Sequence, residues 1–135
     1  MRLADDLVMY LDDARWQGVL KHSGIIVPVR HAETVFDLTA DEVAATFTML
    51  ARAREWLDAE HEPDGYNVGW NAGAVAGQQV FHAHLHVIPR FAQEPLAGQG
   101  IRAHSRDRRT PGDEPPLVEE GRQGPSRDPV RRTTS

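Results

Sequence analysis

Short apolar segments alternate with polar and turn-forming residues over the first 90 positions of the chain. Each segment is about five to nine residues long, which is the usual length of a β-strand. On this basis we predict five strands, at residues 7–11, 16–20, 24–29, 66–70 and 80–88. The third segment is almost entirely apolar, which indicates a central strand. A glycine-rich stretch between the last two segments predicts that they pair antiparallel.

One long helix is predicted between the third and fourth strands. Thr39 and Glu42 have the spacing of a capping box, in which a hydroxyl and a carboxylate satisfy backbone N–H groups at the helix start. The helix should extend from about residue 40 to 60, where Pro63 and an Asp-Gly pair follow. Its predicted core-facing stripe is Val43, Phe47, Leu50 and Leu57, interrupted by Arg54. The pattern predicts an α+β fold, with an antiparallel sheet of about five strands and one long helix.

The composition changes after Ile101. Residues 104–135 contain five prolines and three glycines, and their long aliphatic side chains are limited to Leu117, Val118 and Val130. So little apolar surface does not offset the conformational entropy that folding removes. We therefore predict a folded domain at residues 1–101 and a disordered C-terminal tail at residues 102–135.

Charge is distributed unevenly between these two parts. The formal net charge is −5, yet residues 102–135 carry eight arginines and six acidic residues, which leaves seven basic and fourteen acidic residues in 1–101. An acidic domain is a poor electrostatic partner for nucleic acid or an anionic membrane. The chain has no cysteine, no segment long enough to span a membrane and an acidic start unlike a signal peptide. We predict a cytoplasmic protein that binds neither nucleic acid nor membranes.

Three histidines occupy alternate positions in the last predicted strand. His82, His84 and His86 are separated by Ala83 and Leu85, so the pleat of a strand places the imidazoles on one face and the apolar side chains on the other. Each i, i+2 step spans roughly 6.6 Å, which puts the outer pair roughly 13 Å apart. The three rings are therefore too far apart to bind one metal ion together. Two of them with a distant third ligand remain an alternative.

A loop rich in small residues leads into this histidine row. Glycine and alanine dominate residues 72–77, with glycines at positions 73 and 77. Glycine lets the backbone approach a ligand closely and adopt conformations barred to larger residues. Successive N–H groups in such a loop can bind an anion. A loop suited to phosphate thus precedes a row of imidazoles.

These features resemble the signature of the histidine triad (HIT) family of nucleotide hydrolases and transferases. The residues that carry the resemblance are 65–73, GYNVGWNAG, and 76–90, AGQQVFHAHLHVIPR. The family pattern is His-φ-His-φ-His-φ-φ, with φ apolar, and residues 82–88 match it at every position. The likeness extends back through residues 25–31, IIVPVRH, and covers most of residues 7–101. It implies a HIT-like fold and a nucleotide substrate.

The resemblance also implies roles for individual residues. His84, the middle histidine, would attack the α-phosphate of an adenosine-type nucleotide and form a covalent nucleotidyl-histidine intermediate. His82 and His86 would hold phosphate oxygens or move a proton, and Gln78 would hydrogen-bond the leaving group or the nucleophile. The implied substrates are dinucleoside polyphosphates or nucleoside phosphoramidates. The implied nucleotide-binding residues are Asp12 at the ribose hydroxyls, Asn71 near the ribose-phosphate, and Gly77, Gln79 and Val80 in the phosphate loop.

Ordinary structural roles remain open for some of these residues. Asp12 and Asp13 are equally consistent with solvated turn residues, and Gln78 and Asn71 with side chains that hold the loop in place. For the whole protein, one alternative is a nucleotide-binding regulatory module with little turnover. Another is a metal-dependent enzyme that uses the first two histidines of the row, His82 and His84, as ligands.

The predicted chemistry requires no cofactor and no metal bound by the protein itself. Because cysteines are absent, we expect no thiolate zinc site of the kind found in some bacterial relatives. A magnesium ion could arrive bound to a polyphosphate substrate. HIT proteins usually pair through the helix and a strand edge, so the resemblance also implies a homodimer.

Overall fold

The computed structural model describes residues 1–102, and Met1–Ile101 form one compact unit. A five-stranded antiparallel sheet in the order β1-β2-β3-β5-β4 packs against one long helix, α1. The strands are β1 (Leu3–Ala4), β2 (Val8–Asp12), β3 (Gly24–Pro28), β4 (Gly65–Trp70) and β5 (Leu85–Arg90). The helix α1 spans Ala40–His61, and single 3-10 turns lie at Ala14–Trp16, Val35–Asp37 and Ala74–Ala76. The predicted α+β fold is confirmed, whereas the predicted tail lies, except for Arg102, outside the described residues.

The core lies between α1 and one face of the sheet. The alternation that places it there is clearest on β5, where Leu85 and Val87 are buried while His86 and Ile88 are half-buried. The buried cluster consists of Val8, Tyr10, Ile26, Met49, Ala53, Leu57, Leu85 and Val87. The face that carries His86 is turned away from the helix, and we call it the outer face.

The predicted strand at residues 16–20 is wrong. This segment belongs to a turn-rich connection between β2 and β3, in which Gly18 and His22 adopt left-handed backbone conformations with φ of 56° and 65°. The Asp13 carboxylate also accepts a hydrogen bond from the Arg15 N–H and so starts a 3-10 turn. A backbone that reverses in this way does not continue a strand ladder. The fifth strand is instead β1, whose two residues are too few to produce a hydrophobic pattern.

The histidine row begins before the strand that it was predicted to occupy. The ladders from β5 to β3 and β4 both end opposite Leu85, so the backbone at residues 80–84 has no strand beside it. β5 therefore starts at Leu85 rather than at Val80. The alternation of buried and half-buried residues nevertheless extends back to His82.

The helix buries a different face from the predicted one. Of the predicted stripe, Leu57 is buried and Leu50 is half-buried, whereas Val43, Phe47 and Arg54 are exposed. The buried residues of α1 are Glu42, Thr46, Met49, Ala53 and Leu57.

Two polar residues lie on the buried face because their hydrogen bonds are satisfied there. The Glu42 carboxylate accepts from Arg30 Nη2 at 2.7 Å and from Thr39 N at 2.9 Å, which also completes the predicted capping box. The Thr46 hydroxyl donates to the Glu42 carbonyl at 2.7 Å. A buried carboxylate with a charged partner is tolerated, whereas an unpaired one is costly.

Phe47, Leu50 and Arg54 of the predicted stripe line a surface groove between α1 and β4, which is an edge strand of the sheet. The groove has a volume of about 890 Å³. Phe47 within it is 61% exposed, which is unusual for a large apolar side chain at the centre of a helix. Its main lining residues are Phe47, Leu50, Ala51, Arg54, Tyr66 and Val68. We call it the α1–β4 groove.

Candidate active site

A pocket of about 580 Å³ opens on the outer face of the sheet, beside the last histidine of the row. Its floor is apolar, because Leu11, Ile25 and Ile88 face outward from β2, β3 and β5. Ile25 is the register partner of both Leu11 and His86, so the floor continues directly into the histidine row. Apolar walls with a few polar groups at one end are typical of a small-molecule site. We call this cavity the outer-face pocket.

The connection between β2 and β3 forms one wall of the outer-face pocket. Gln17 holds this wall in shape: its Nε2 donates to the Ser23 carbonyl at 3.1 Å and its Oε1 accepts from the His22 N–H at 2.9 Å. The His22 ring stacks on His61 at the end of α1, with centroids 3.7 Å apart. Burial, followed by the charge of His61, lowers the pKa of His22. The wall is therefore attached to the end of α1 by ring stacking.

The middle histidine of the row has its tautomer set by the backbone. His84 Nδ1 lies 2.8 Å from the His82 carbonyl oxygen. A carbonyl oxygen only accepts hydrogen bonds, so Nδ1 must carry the hydrogen. In the neutral ring, Nε2 of His84 then holds the in-plane lone pair. This is the state that a nucleophilic imidazole requires.

The first histidine of the row is anchored to the sheet. His82 Nε2 lies 2.8 Å from the Pro28 carbonyl at the end of β3, so by the same reasoning Nε2 carries the hydrogen. The His31 ring packs edge-on against His82 with centroids 5.4 Å apart. His82 is thereby fixed on the side of the row that faces away from the outer-face pocket.

The last histidine of the row has an unused ring nitrogen. His86 Nε2 is buried and has no hydrogen-bond partner among the residues that the structure describes. Its ring lies 4.8 Å from that of His84, at an interplanar angle of 71°. Burial, followed by the charge of His84, lowers the pKa of His86. His86 thus places a ring nitrogen without a hydrogen-bond partner beside the middle histidine.

The glycine-rich loop has the backbone geometry that its sequence predicts. Gly73 and Gly77 have φ of 89° and 96°, where a side chain is strained, and they flank the 3-10 turn at Ala74–Ala76. Within residues 1–102, no group accepts a hydrogen bond from the N–H of Gln79 or of Val80. These two consecutive donors are available to an anion.

Gln78 is buried and fully engaged with the loop. Its Nε2 donates to the Glu33 carbonyl at 2.6 Å and to the Val80 carbonyl at 3.0 Å, while its Oε1 accepts from the Gly73 N–H at 2.8 Å. Both amide hydrogens are therefore already used. This geometry favours the role of holding the loop over the predicted contact with the leaving group.

Asn71 and Asp12 lie on opposite sides of the site. Asn71 is half-buried beside the loop, with its Nδ2 3.8 Å from the point where a side chain would begin at Gly77. Asp12 lines the outer-face pocket at the end of β2. Its Oδ2 accepts from Arg2 Nε at 2.8 Å, an ion pair for which the sequence offers no local signal.

The sequence of the chain matches a known protein family. The profile of the HIT domain matches residues 7–93. The chain belongs to the HIT family. The predicted family membership is thereby confirmed.

Two relatives show how far the similarity of sequence extends. Protein hit of Bacillus subtilis is 33% identical to this HIT chain over 89 residues, which cover 66% of the chain and 61% of that protein. Adenylylsulfatase HINT3 of Arabidopsis thaliana is 31% identical over 103 residues, which cover 75% of the chain and 51% of that protein. The chain thus spans between half and two thirds of the length of these relatives.

A solved structure of similar shape supports the same assignment. The crystal structure of a HIT family protein from Bacillus anthracis matches with a TM-score of 0.65 and 31% sequence identity. The match covers 78% of this chain and 73% of that one. The predicted HIT-like fold is confirmed by this likeness.

Two features of the candidate site were not predicted from the sequence. Leu11 and Ile25 were counted as parts of strands, but with Ile88 of β5 they form the pocket floor, because β2 and β3 carry apolar residues on both faces. That two-sided apolar pattern is the signal that could have revealed them. His31 was not assigned to the site, and its contact with His82 depends on residues 51 positions apart in the chain.

The described part of the chain contains neither a cluster of metal-ligating side chains nor a membrane-spanning helix. Among residues 1–102, no group of three or more His, Asp or Glu side chains is arranged to hold a metal ion. No helix in that range is long and apolar enough to cross a membrane.

Proposed function

We propose that this HIT protein is a nucleotide hydrolase or transferase that attacks the α-phosphate of an adenosine-type nucleotide. The observation that carries the proposal is the hydrogen bond between His84 Nδ1 and the His82 carbonyl, because it leaves the lone pair on Nε2. The outer-face pocket next to the row has a volume suited to a nucleoside. Family membership supports a nucleotide substrate, and the name of the relative adenylylsulfatase HINT3 supports an adenylyl group in particular.

The reaction proceeds in two displacements at phosphorus. In the first, Nε2 of His84 forms a bond to the α-phosphorus, and the bond from phosphorus to the leaving oxygen or nitrogen breaks. In the second, water or another acceptor attacks the phosphorus of the nucleotidyl-histidine, the P–N bond breaks, and the nucleotide leaves with the imidazole restored. Candidate substrates are dinucleoside polyphosphates and nucleoside phosphoramidates.

The remaining residues of the site stabilise charge on either side of the reacting phosphorus. The free N–H groups of Gln79 and Val80 donate to its non-bridging oxygens. His86, whose Nε2 has no partner within residues 1–102, lies beside His84 and is the proposed donor of a proton to the departing oxygen or nitrogen. Gln78 holds the loop that presents these donors. A magnesium ion bound to a polyphosphate would enter as part of the substrate.

Nucleoside recognition occurs in the outer-face pocket. The apolar floor at Leu11 and Ile25 receives the base, and Asp12 accepts hydrogen bonds from the ribose hydroxyls. Asn71 lies beside the glycine-rich loop, and its side chain contacts the ribose-phosphate in this proposal.

Turnover by the His84→Ala variant tests the assignment. We expect wild-type protein to release nucleoside monophosphate from diadenosine polyphosphate or adenosine phosphoramidate, and the variant to retain its fold and nucleotide binding but lose turnover. Unchanged turnover in the variant would refute the nucleophile. Loss of activity with a chelator and recovery with zinc, without added magnesium, would support a metal-dependent enzyme. Binding without turnover in the wild type would support a regulatory module.

We also propose that the protein forms a homodimer through the α1–β4 groove. The groove combines an exposed apolar helix face with an edge strand, whose unpaired backbone can add to a second sheet. A second copy of the chain would cover Phe47 and Val68, which are 61% and 37% exposed. Cytoplasmic location stays a prediction from the sequence.

A further inference from the structure

We propose that Arg2 is a positioning residue that orients Asp12 toward the ribose hydroxyls and so helps this protein to select ribonucleotides over 2′-deoxyribonucleotides. The inference rests on the proposed nucleotide-binding role of the outer-face pocket. It concerns an ion pair at the ribose end of that pocket, formed by the segment that leads into β1.

Arg2 is held in place by three independent contacts. Its backbone N–H donates to the Tyr10 carbonyl at 2.9 Å, and this bond continues the pairing of β1 with β2. Its guanidinium carbon lies 3.9 Å from the centre of the Trp56 ring on α1, a cation–π contact. Its Nε donates to Asp12 Oδ2 at 2.8 Å. The guanidinium thus connects the helix to the rim of the pocket.

The ion pair leaves Asp12 with an oxygen that a ligand can use. Arg2 takes Oδ2, which leaves Oδ1 as an acceptor, and one carboxylate oxygen can accept from both hydroxyls of a cis-diol. The Asp12 side chain is only 14% exposed. Without Arg2, this carboxylate would be poorly compensated and would turn toward water. Arg2 therefore fixes the direction of the free oxygen.

The neighbouring acid shows why Asp12 is the residue available to ribose. Both oxygens of Asp13 accept hydrogen bonds from the Arg15 side chain, at distances of 2.6 to 3.1 Å. These bonds lower the pKa of Asp13 to about 2. An acid whose oxygens are both engaged is a weaker acceptor for a new donor. The two ion pairs, Asp12–Arg2 and Asp13–Arg15, thus form a matched comparison. The two aspartates are adjacent in sequence, but Arg2 engages one oxygen of Asp12 whereas Arg15 engages both oxygens of Asp13.

The test compares Arg2→Gln with Arg15→Gln in the 135-residue chain. The readout is the dissociation constant of adenosine 5′-monophosphate and of 2′-deoxyadenosine 5′-monophosphate by calorimetry. We expect Arg2→Gln to weaken binding of the ribonucleotide by about fivefold to tenfold, with little effect on the deoxynucleotide. Arg15→Gln, which releases Asp13 and leaves the Arg2–Asp12 pair intact, should not weaken binding of either nucleotide. Arg2→Lys, which keeps a cation but only a single-point donor, should fall between wild type and Arg2→Gln.

The outcomes separate this inference from the proposed function. Equal affinities of Arg2→Gln and wild type for the ribonucleotide, or equal loss for both nucleotides, would overturn the positioning role. If Arg2→Gln changes the ratio of the two dissociation constants as expected, the positioning role is supported even when the wild type shows no turnover, because the experiment measures binding alone. A melting curve for each variant checks folding, and Arg2→Lys supplies the answer if Arg2→Gln does not fold. Failure of the wild type to bind either nucleotide would overturn the proposed function together with this inference.

Discussion

Replacing Gln78 by alanine distinguishes the two roles considered for this residue. As a catalytic donor, Gln78 would contribute to the reaction without contributing to the fold. As a loop anchor, it would stabilise the segment that presents the phosphate-binding N–H groups. The structure favours the anchor, because its amide bonds three backbone groups and the side chain is 3% exposed.

The expected loss of stability can be estimated from these contacts. The substitution leaves the Gly73 N–H and the carbonyls of Glu33 and Val80 without their partner. Each hydrogen bond contributes about 0.5–1.5 kcal/mol net. Glu33 and Val80 are exposed, so water can replace the amide there, whereas Gly73 is half-buried. We therefore expect a total loss of about 2 kcal/mol in the free energy of unfolding, which lowers the Tm of a domain of this size by about 8–16 °C.

The assay combines thermal unfolding with hydrogen exchange and steady-state kinetics. Gln79→Ala is the matched control for stability, because Gln79 is adjacent and exposed. We expect Gln78→Ala to lower the Tm and to accelerate exchange of the Gly73 N–H, while Gln79→Ala leaves both unchanged. A Gln78→Ala variant that keeps the wild-type Tm and exchange rate yet loses kcat would rule out the anchor role. That result would show that the amide acts on the reacting atoms.

Three further predictions concern a carboxylate, a ring and a surface. Arg30 lowers the pKa of Glu42 to about 2, so the stability that this pair contributes is present above about pH 4.5 and is lost as the pH falls toward 2. Urea unfolding as a function of pH should show that loss. Glu42→Gln should lower the free energy of unfolding by about 1–3 kcal/mol and flatten its pH dependence. By NMR titration, His86 should titrate below its ordinary value of about 6.5, and removal of the His84 ring should raise its pKa without fully restoring it, because burial is the larger cause. Phe47→Asp should shift the protein to monomers in sedimentation equilibrium, whereas Phe36→Asp, at an exposed phenylalanine outside the α1–β4 groove, should not; equal behaviour of the two variants would argue against the dimer surface.

Local patterns in the sequence were sufficient for the elements that position the histidines. The alternation from His82 to His86 predicts side-chain direction because it depends only on an extended backbone. The glycines at 73 and 77 predict a loop of positive φ because other residues are strained there. The capping box at Thr39 and Glu42 marks the start of α1 correctly, because its two partners are only three residues apart in the sequence.

Contacts between distant residues determine what the patterns did not predict. The helix buries Glu42 because Arg30, twelve residues earlier, pairs with it, and hydrophobicity alone selects the neighbouring stripe instead. Gln78 is committed to the loop by the Glu33 carbonyl, 45 residues away in the chain. Asp12 pairs with Arg2 only because β1 folds back along β2. Sequence reasoning named Gln78 and Asp12 as candidate site residues but did not predict their partners.

Covalent trapping tests the central claim most directly. Wild-type protein is mixed with adenine-labelled dinucleoside polyphosphate, quenched in base during turnover, digested and analysed by mass spectrometry. The account predicts a nucleoside monophosphate group on the peptide that contains His84, attached at that imidazole, and none in His84→Ala. Turnover without any labelled protein, or a label that persists when His84 is replaced, would contradict it.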